Sequence, residues 1–100
     1  MTAFVLTPAA EADLTAIITY ISQDKSAAAE RSVYRFERTF RMLADNPEVG
    51  HLREDLGSEP LRFWTIYSYM IIYRPETSPL QIIRILHGAQ DIKKMLERGA

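Results

Sequence analysis

Residues 82–92 read IIRILHGAQDI. An isoleucine-rich run carries one arginine in its middle and closes on His-Gly. That texture favours a strand. Side chains alternate along strands, so Ile83, Ile85 and His87 take one side and Ile82, Arg84 and Leu86 the other. Two readings compete: an arginine–histidine pair that does chemistry, or a core strand that ends in a turn and presents Arg84. His87 closes the apolar side at period two, where a lone histidine more often makes a structural hydrogen bond. The strand reading is therefore adopted over residues 80–87.

Two similar runs precede it. LRFWTI (61–66) and YMIIYR (69–74) are rich in isoleucine and aromatic residues. Tyr67-Ser68 is short enough for a tight reversal between them, and PETSP (75–79) is a turn before the third run. The three form an antiparallel meander. QDIKKMLERG (90–99) follows as a short helix over 90–98, with Asp91 near its start and an apolar face of Ile92, Met95 and Leu96.

Upstream the period changes. TAFVLT gives a short strand over 3–7. Thr7-Pro8 then opens a helix over 8–23, with threonine as cap and proline in the first turn, where no amide donor is needed. Ala10, Leu14, Ile17 and Ile21 form its apolar stripe. A second helix spans 26–45 with Ser26 as its cap, a stripe of Ala29, Val33, Phe36, Phe40 and Leu43, and a stop at Asn46-Pro47. Two matched stripes joined by a short polar link make an antiparallel helix hairpin. Residues 47–60, PEVGHLREDLGSEP, have no clean period and read as a surface connection.

The order of elements gives an α+β domain: an N-terminal strand, a helix hairpin packed on one face of a small, mainly antiparallel sheet, and a short C-terminal helix. One hundred residues suit a single domain over 1–100. A net charge of −1 gives no whole-molecule field, so it does not by itself point to nucleic acid, and the absence of cysteine removes disulfide and thiolate chemistry. Two distant histidines make a metal site improbable, and no cofactor motif is present. No apolar run reaches membrane-span length, and the first residues lack a leader pattern, so the expected compartment is the cytoplasm.

With the hairpin on one face, the other face of the sheet is expected to be free for a partner. Alternation gives each strand one arginine beside apolar groups. If the register aligns them, Arg62, Arg74 and Arg84 share that face with Trp64. Such a mixture resembles a protein interface. The alternative is that these arginines pair with Glu59, Glu76 or Asp91 and simply cover the sheet. On the second helix Arg31, Arg35, Arg38 and Arg41 share the side opposite the apolar stripe. They are either a solvated face, helped by the Glu37–Arg41 spacing, or a landing strip for an acidic segment.

LTPAAEADLTAIITYI, MIIYR and IIRILHGAQDI, in that order and across nearly the whole chain, resemble the ParE toxins of bacterial type II toxin–antitoxin systems, within the RelE/ParE superfamily. The resemblance implies a helix hairpin on a small sheet joined by the first strand, and an antitoxin partner whose C-terminal segment wraps the toxin. It implies DNA gyrase as the target and no sequence-specific nucleic-acid binding by the toxin alone. RelE-like relatives instead cut messenger RNA on the ribosome, using a basic cluster and a late tyrosine. The tail ILHGAQDIKKMLERGA has no arginine before Arg98 and no tyrosine, although Lys93, Lys94 and His87 are present. The expectation is a gyrase-inhibiting binder without catalytic residues. The alternatives are a metal-free ribonuclease and an inactive antitoxin-binding module.

Overall fold

The computed structural model describes residues 3–53, 59–88 and 92–99. In chain order these form β1 (Phe4–Leu6), α1 (Pro8–Asp24), α2 (Ser26–Asp45), β2 (His51–Leu52), β3 (Arg62–Ile66), β4 (Tyr69–Arg74), β5 (Leu80–His87) and α3 (Ile92–Gly99). The five strands make one sheet in the order β1-β5-β4-β3-β2. β1 runs parallel to β5, and the other pairs are antiparallel. The architecture is the expected α+β one. Asp91, read as the start of the last helix, lies outside the described residues.

Local chemistry explains the helix ends. The Thr7 hydroxyl accepts a hydrogen bond from the Ala10 amide at 3.2 Å, which caps α1, and donates to the Ile83 carbonyl at 2.9 Å. One side chain thus starts the helix and ties that start to β5. The reversal between α1 and α2 takes a single residue. Lys25, extended at φ −148°, closes one helix and opens the next, and its side chain makes no capping bond. Ser26 therefore lies inside the first turn of α2 instead of capping it. At the far end the Asn46 amide side chain donates to the Met42 carbonyl at 3.0 Å before Pro47 stops the helix.

The buried stripe of α2 is Ala29, Ser32, Phe36, Phe40 and Leu43. Val33, expected in it, is 44% exposed, and Ser32 takes the inward position. A buried hydroxyl is tolerated there because it donates to the Ala28 carbonyl at 2.9 Å. Phe36, Phe40 and Leu43 of this stripe pack with Ala10 and Ile17 of α1 onto Ile66, Ile71, Tyr73, Ile82 and Ile85 of the sheet.

The second face of the sheet is not free. Leu61, Phe63, Ile72, Ile83 and Leu86 pack there with Ile92, and Met95 and Leu96 of α3 lie against them. The apolar side of the last helix, legible in the sequence, is what covers this face. An uncovered sheet face as the docking surface is thereby withdrawn.

The expected arginine face also fails, for a reason of parity. A two-residue turn pairs Ile66 with Tyr69, so Trp64 pairs with Ile71 and Arg62 with Tyr73. Even-numbered residues of β3 therefore share a side with odd-numbered residues of β4. Arg62 and Trp64 lie on the helix side, and Arg74 on the other. On β5 a bulge intervenes: Ile72 pairs with Arg84 but Tyr73 with Ile82. The extra residue breaks strict alternation, so Ile82 and Ile85 both enter the helix-side core while Ile83 and Leu86 enter the opposite one.

At this bulge Arg84 meets α1. Its Nε and Nη2 donate to the two Asp13 carboxylate oxygens at 2.8 and 2.9 Å, and the Ile85 amide donates to Asp13 Oδ2 at 2.9 Å. Arg84 is only 9% exposed. Asp13, chiefly by hydrogen bonding and also by its charge, raises the Arg84 pKa against the opposing effect of burial. The remaining two sheet arginines are also held. Arg62 donates to the carbonyls of Glu48 and Gly50, and Arg74 bonds Glu59 and Gln81.

The connection after α2 contains a short strand, β2, that the pattern of residues 47–60 does not show. It pairs with β3 through His51↔Phe63 and Leu52↔Arg62. A buried tyrosine positions it: Tyr73 Oη accepts from the Gly50 amide at 2.9 Å and donates to the Pro47 carbonyl at 2.8 Å. A Cβ at Gly50 would sit 2.4 Å from that oxygen, so only glycine permits the approach.

Two outcomes are expected. Asp13→Ala leaves a largely buried guanidinium and the Ile85 amide without their acceptor, and should cost about 3–5 kcal/mol in urea unfolding; a loss below about 1 kcal/mol would show that the pair holds nothing. Burial, the largest effect on Tyr73, raises its pKa above the usual 10.0, partly opposed by Gly50 and Arg62. A raised native pKa means that the unfolded chain releases this proton first as pH rises. The Tyr73 contribution is thus complete below about pH 10 and is lost above it. Stability measured from about pH 9 to 12 should fall more steeply for the native sequence than for Tyr73→Phe, and equal slopes would refute the assignment.

Candidate functional site

The expected binding residues separate into two groups. Arg62, Arg74 and Arg84 are occupied by internal acceptors at three different places in the sheet. Arg31, Arg35 and Arg38 line an open groove of about 960 Å³ between α2 and the β3–β4 turn, together with Trp64. Arg41, expected with them, does not line the groove and turns instead toward β1. It pairs with Glu37 at 2.8 Å, and its guanidinium carbon lies 5.8 Å from the Phe4 ring.

Helical spacing places the groove's cations. Arg31, Arg35 and Arg38 project from successive turns of α2, opposite the stripe that is buried against α1 and the sheet. Tyr34 and Met42 come from the same side of the helix. The sheet contributes Trp64 from β3, whose inner side also packs on the core. Tyr67 completes the groove from the turn that follows β3.

Arginines and aromatics are interleaved here. The Arg35 guanidinium carbon lies 4.7 Å from the centroid of the Tyr67 ring, and that of Arg38 lies 5.7 Å from Tyr34. Phe36 meets Tyr67 edge-on at 6.3 Å, which ties the turn back to the core. Each exposed cation–π contact contributes only about 0.5–1 kcal/mol, so the groove is not what holds the fold together. Its single carboxylate is Glu30, so the lining carries a local positive excess on a chain of net charge −1.

Tyr34, Met42 and Tyr67 were not among the expected site residues. Tyr67 did carry a signal. The two-residue reversal Tyr67-Ser68 lacks the glycine, asparagine or aspartate that such turns favour. In the structure Tyr67 adopts φ 53°, in the left-handed region.

His87 lies elsewhere, exposed at the end of β5. Its ring meets Tyr69 edge-on at 5.5 Å, and the adjacent Gly88 amide donates to the Ser68 carbonyl at 2.9 Å. Among the described residues no group of three histidine, cysteine or carboxylate side chains is placed to hold a metal ion. Among the same residues no helix is long and apolar enough to cross a membrane.

The family model of the ParE toxin of the type II toxin–antitoxin system, parDE, matches residues 4–92. The chain belongs to the ParE toxin family. It is 36% identical over 79 residues to Toxin RelE2 of Caulobacter vibrioides, an alignment covering 79% of this chain and 86% of that protein. This ParE-family chain is thus a toxin of a type II toxin–antitoxin system, and membership implies a cognate antitoxin as partner.

Proposed function

We propose that this ParE-family toxin works by binding rather than by chemistry. It inhibits DNA gyrase in the cytoplasm, and its antitoxin silences it by laying an acidic C-terminal segment along the α2 groove. The observation that carries this reading is the division of labour among the arginines. Those of the sheet are engaged by Asp13, by Glu59 and Gln81, and by backbone carbonyls. Arg31, Arg35 and Arg38 of α2 stand exposed beside Tyr34, Trp64 and Tyr67. Exposed arginine set among tyrosine and tryptophan is the composition of protein-recognition hot spots. Forked guanidinium groups suit carboxylates, which an acidic partner segment supplies.

A second reading has its own support. The name of the Caulobacter relative, RelE2, fits a ribosome-dependent messenger-RNA endonuclease. Metal-free RNA cleavage needs a base for the 2′-hydroxyl, a cation for the phosphate and an acid for the leaving oxygen. On that reading His87 and Tyr69, already in ring contact, would be the pair to examine.

Purified toxin, added in turn to a gyrase supercoiling assay and to a ribosome-dependent translation system, separates the two. Loss of supercoiling with intact messenger RNA is the expected result. Unchanged supercoiling with cleaved messenger RNA would replace it with the endonuclease reading.

A further inference from the structure

Tyr67 occupies a backbone conformation that its side chain disfavours. At φ 53° a non-glycine residue with a large side chain is an outlier, and the first position of a two-residue hairpin turn is where glycine or asparagine is most at ease. The ring is not compensated by burial, since Tyr67 is 49% exposed. Its partners are the edge of Phe36 and the face-on Arg35 guanidinium, which lies between Arg31 and Arg38 along the groove. Strain kept at an exposed aromatic, at the rim of a groove, points to a role in recognition.

We propose that Tyr67 is the aromatic anchor of the α2 groove, held upright by Arg35, and that its occupant is an acidic, amphipathic segment of the antitoxin. An apolar side chain of that segment covers the Tyr67 ring while its carboxylates reach Arg31, Arg35 and Arg38. This rests on the groove being the antitoxin site, and adds which residue governs affinity. Charge supports the choice of occupant: three arginines face one carboxylate, Glu30, on a chain that is otherwise slightly acidic. Arg35 has two tasks in this arrangement, stacking on Tyr67 and meeting a carboxylate, so the anchor and the charge act as one unit.

The test uses Tyr67→Asn, which suits the left-handed backbone, and Tyr67→Phe, which keeps the ring. Each is compared with the native toxin for melting midpoint when free, and by calorimetric titration with its cognate antitoxin. Tyr67→Asn should melt at the same temperature or higher and bind at least tenfold more weakly. Tyr67→Phe should match the native protein in both. A lower midpoint for Tyr67→Asn would overturn the claim that tyrosine is kept against the backbone's preference. Unchanged affinity for Tyr67→Asn would overturn the anchor. The double variant Arg35→Glu, Arg38→Glu then tells the two ideas apart. If it weakens binding while Tyr67→Asn does not, the groove stands and the anchor falls; if neither variant weakens binding, both fall.

Discussion

The carboxylate of Asp13 gathers three hydrogen bonds at one point: two from the Arg84 guanidinium and one from the Ile85 amide. This contact joins residues 71 positions apart in the chain. It does so where β5 needs a partner, since β1 pairs only with Leu80 to Ile82. Beyond that, Thr7 takes the Ile83 carbonyl as acceptor and Asp13 accepts from Ile85. The first turns of α1 thus finish an edge that β1 leaves open. An edge completed in this way offers fewer unpaired groups to foreign strands. The direction of α1 follows from these bonds, and the one-residue reversal at Lys25 carries it over to α2.

A buried ion pair is a poor source of net stability, because removing two charges from water offsets most of their attraction. Its value here is specificity. The bulge that breaks alternation on β5 sends Ile82 and Ile85 into one core and Ile83 and Leu86 into the other. With Arg84 fixed to Asp13, that offset cannot slip without stranding a charge. Stability itself comes from two apolar layers, one under the helix hairpin and one under α3. Among the described residues both faces of the sheet are thus covered by the chain's own apolar side chains, and the outer side of α2 with the turn beside it carries an open groove.

The periodic parts of this architecture were legible in the sequence. The limits of α2 could be read from the asparagine–proline stop and the spacing of its phenylalanines, and the limits of β4 and β5 from their isoleucine-rich runs. What escaped reading was non-periodic. β2 has two residues, both exposed, and so leaves no hydropathy pattern. Which side Arg74 takes depends on the parity set by a two-residue turn, and the side of Arg84 depends on a bulge. Neither is encoded by alternation within a strand. Ser32 displaced Val33 because a hydroxyl bonded to its own helix is small and satisfied, a choice that hydrophobicity ranks the other way. At the site, the arginines of α2 were visible from spacing alone. Tyr34 was not, and Tyr67 showed only as an unusual turn residue, because their grouping with Trp64 exists only once the helix lies beside the turn.

The central claim is that the α2 groove, not the sheet, receives the antitoxin. Its lining happens to be rich in side chains that react readily with hydroxyl radicals: Tyr34, Met42, Trp64 and Tyr67. Footprinting the free toxin and the toxin–antitoxin complex, with mass-spectrometric readout, addresses the claim residue by residue. The account predicts that labelling of Tyr34, Trp64 and Tyr67 drops together in the complex. Equal labelling of these three in the free and bound states would contradict it.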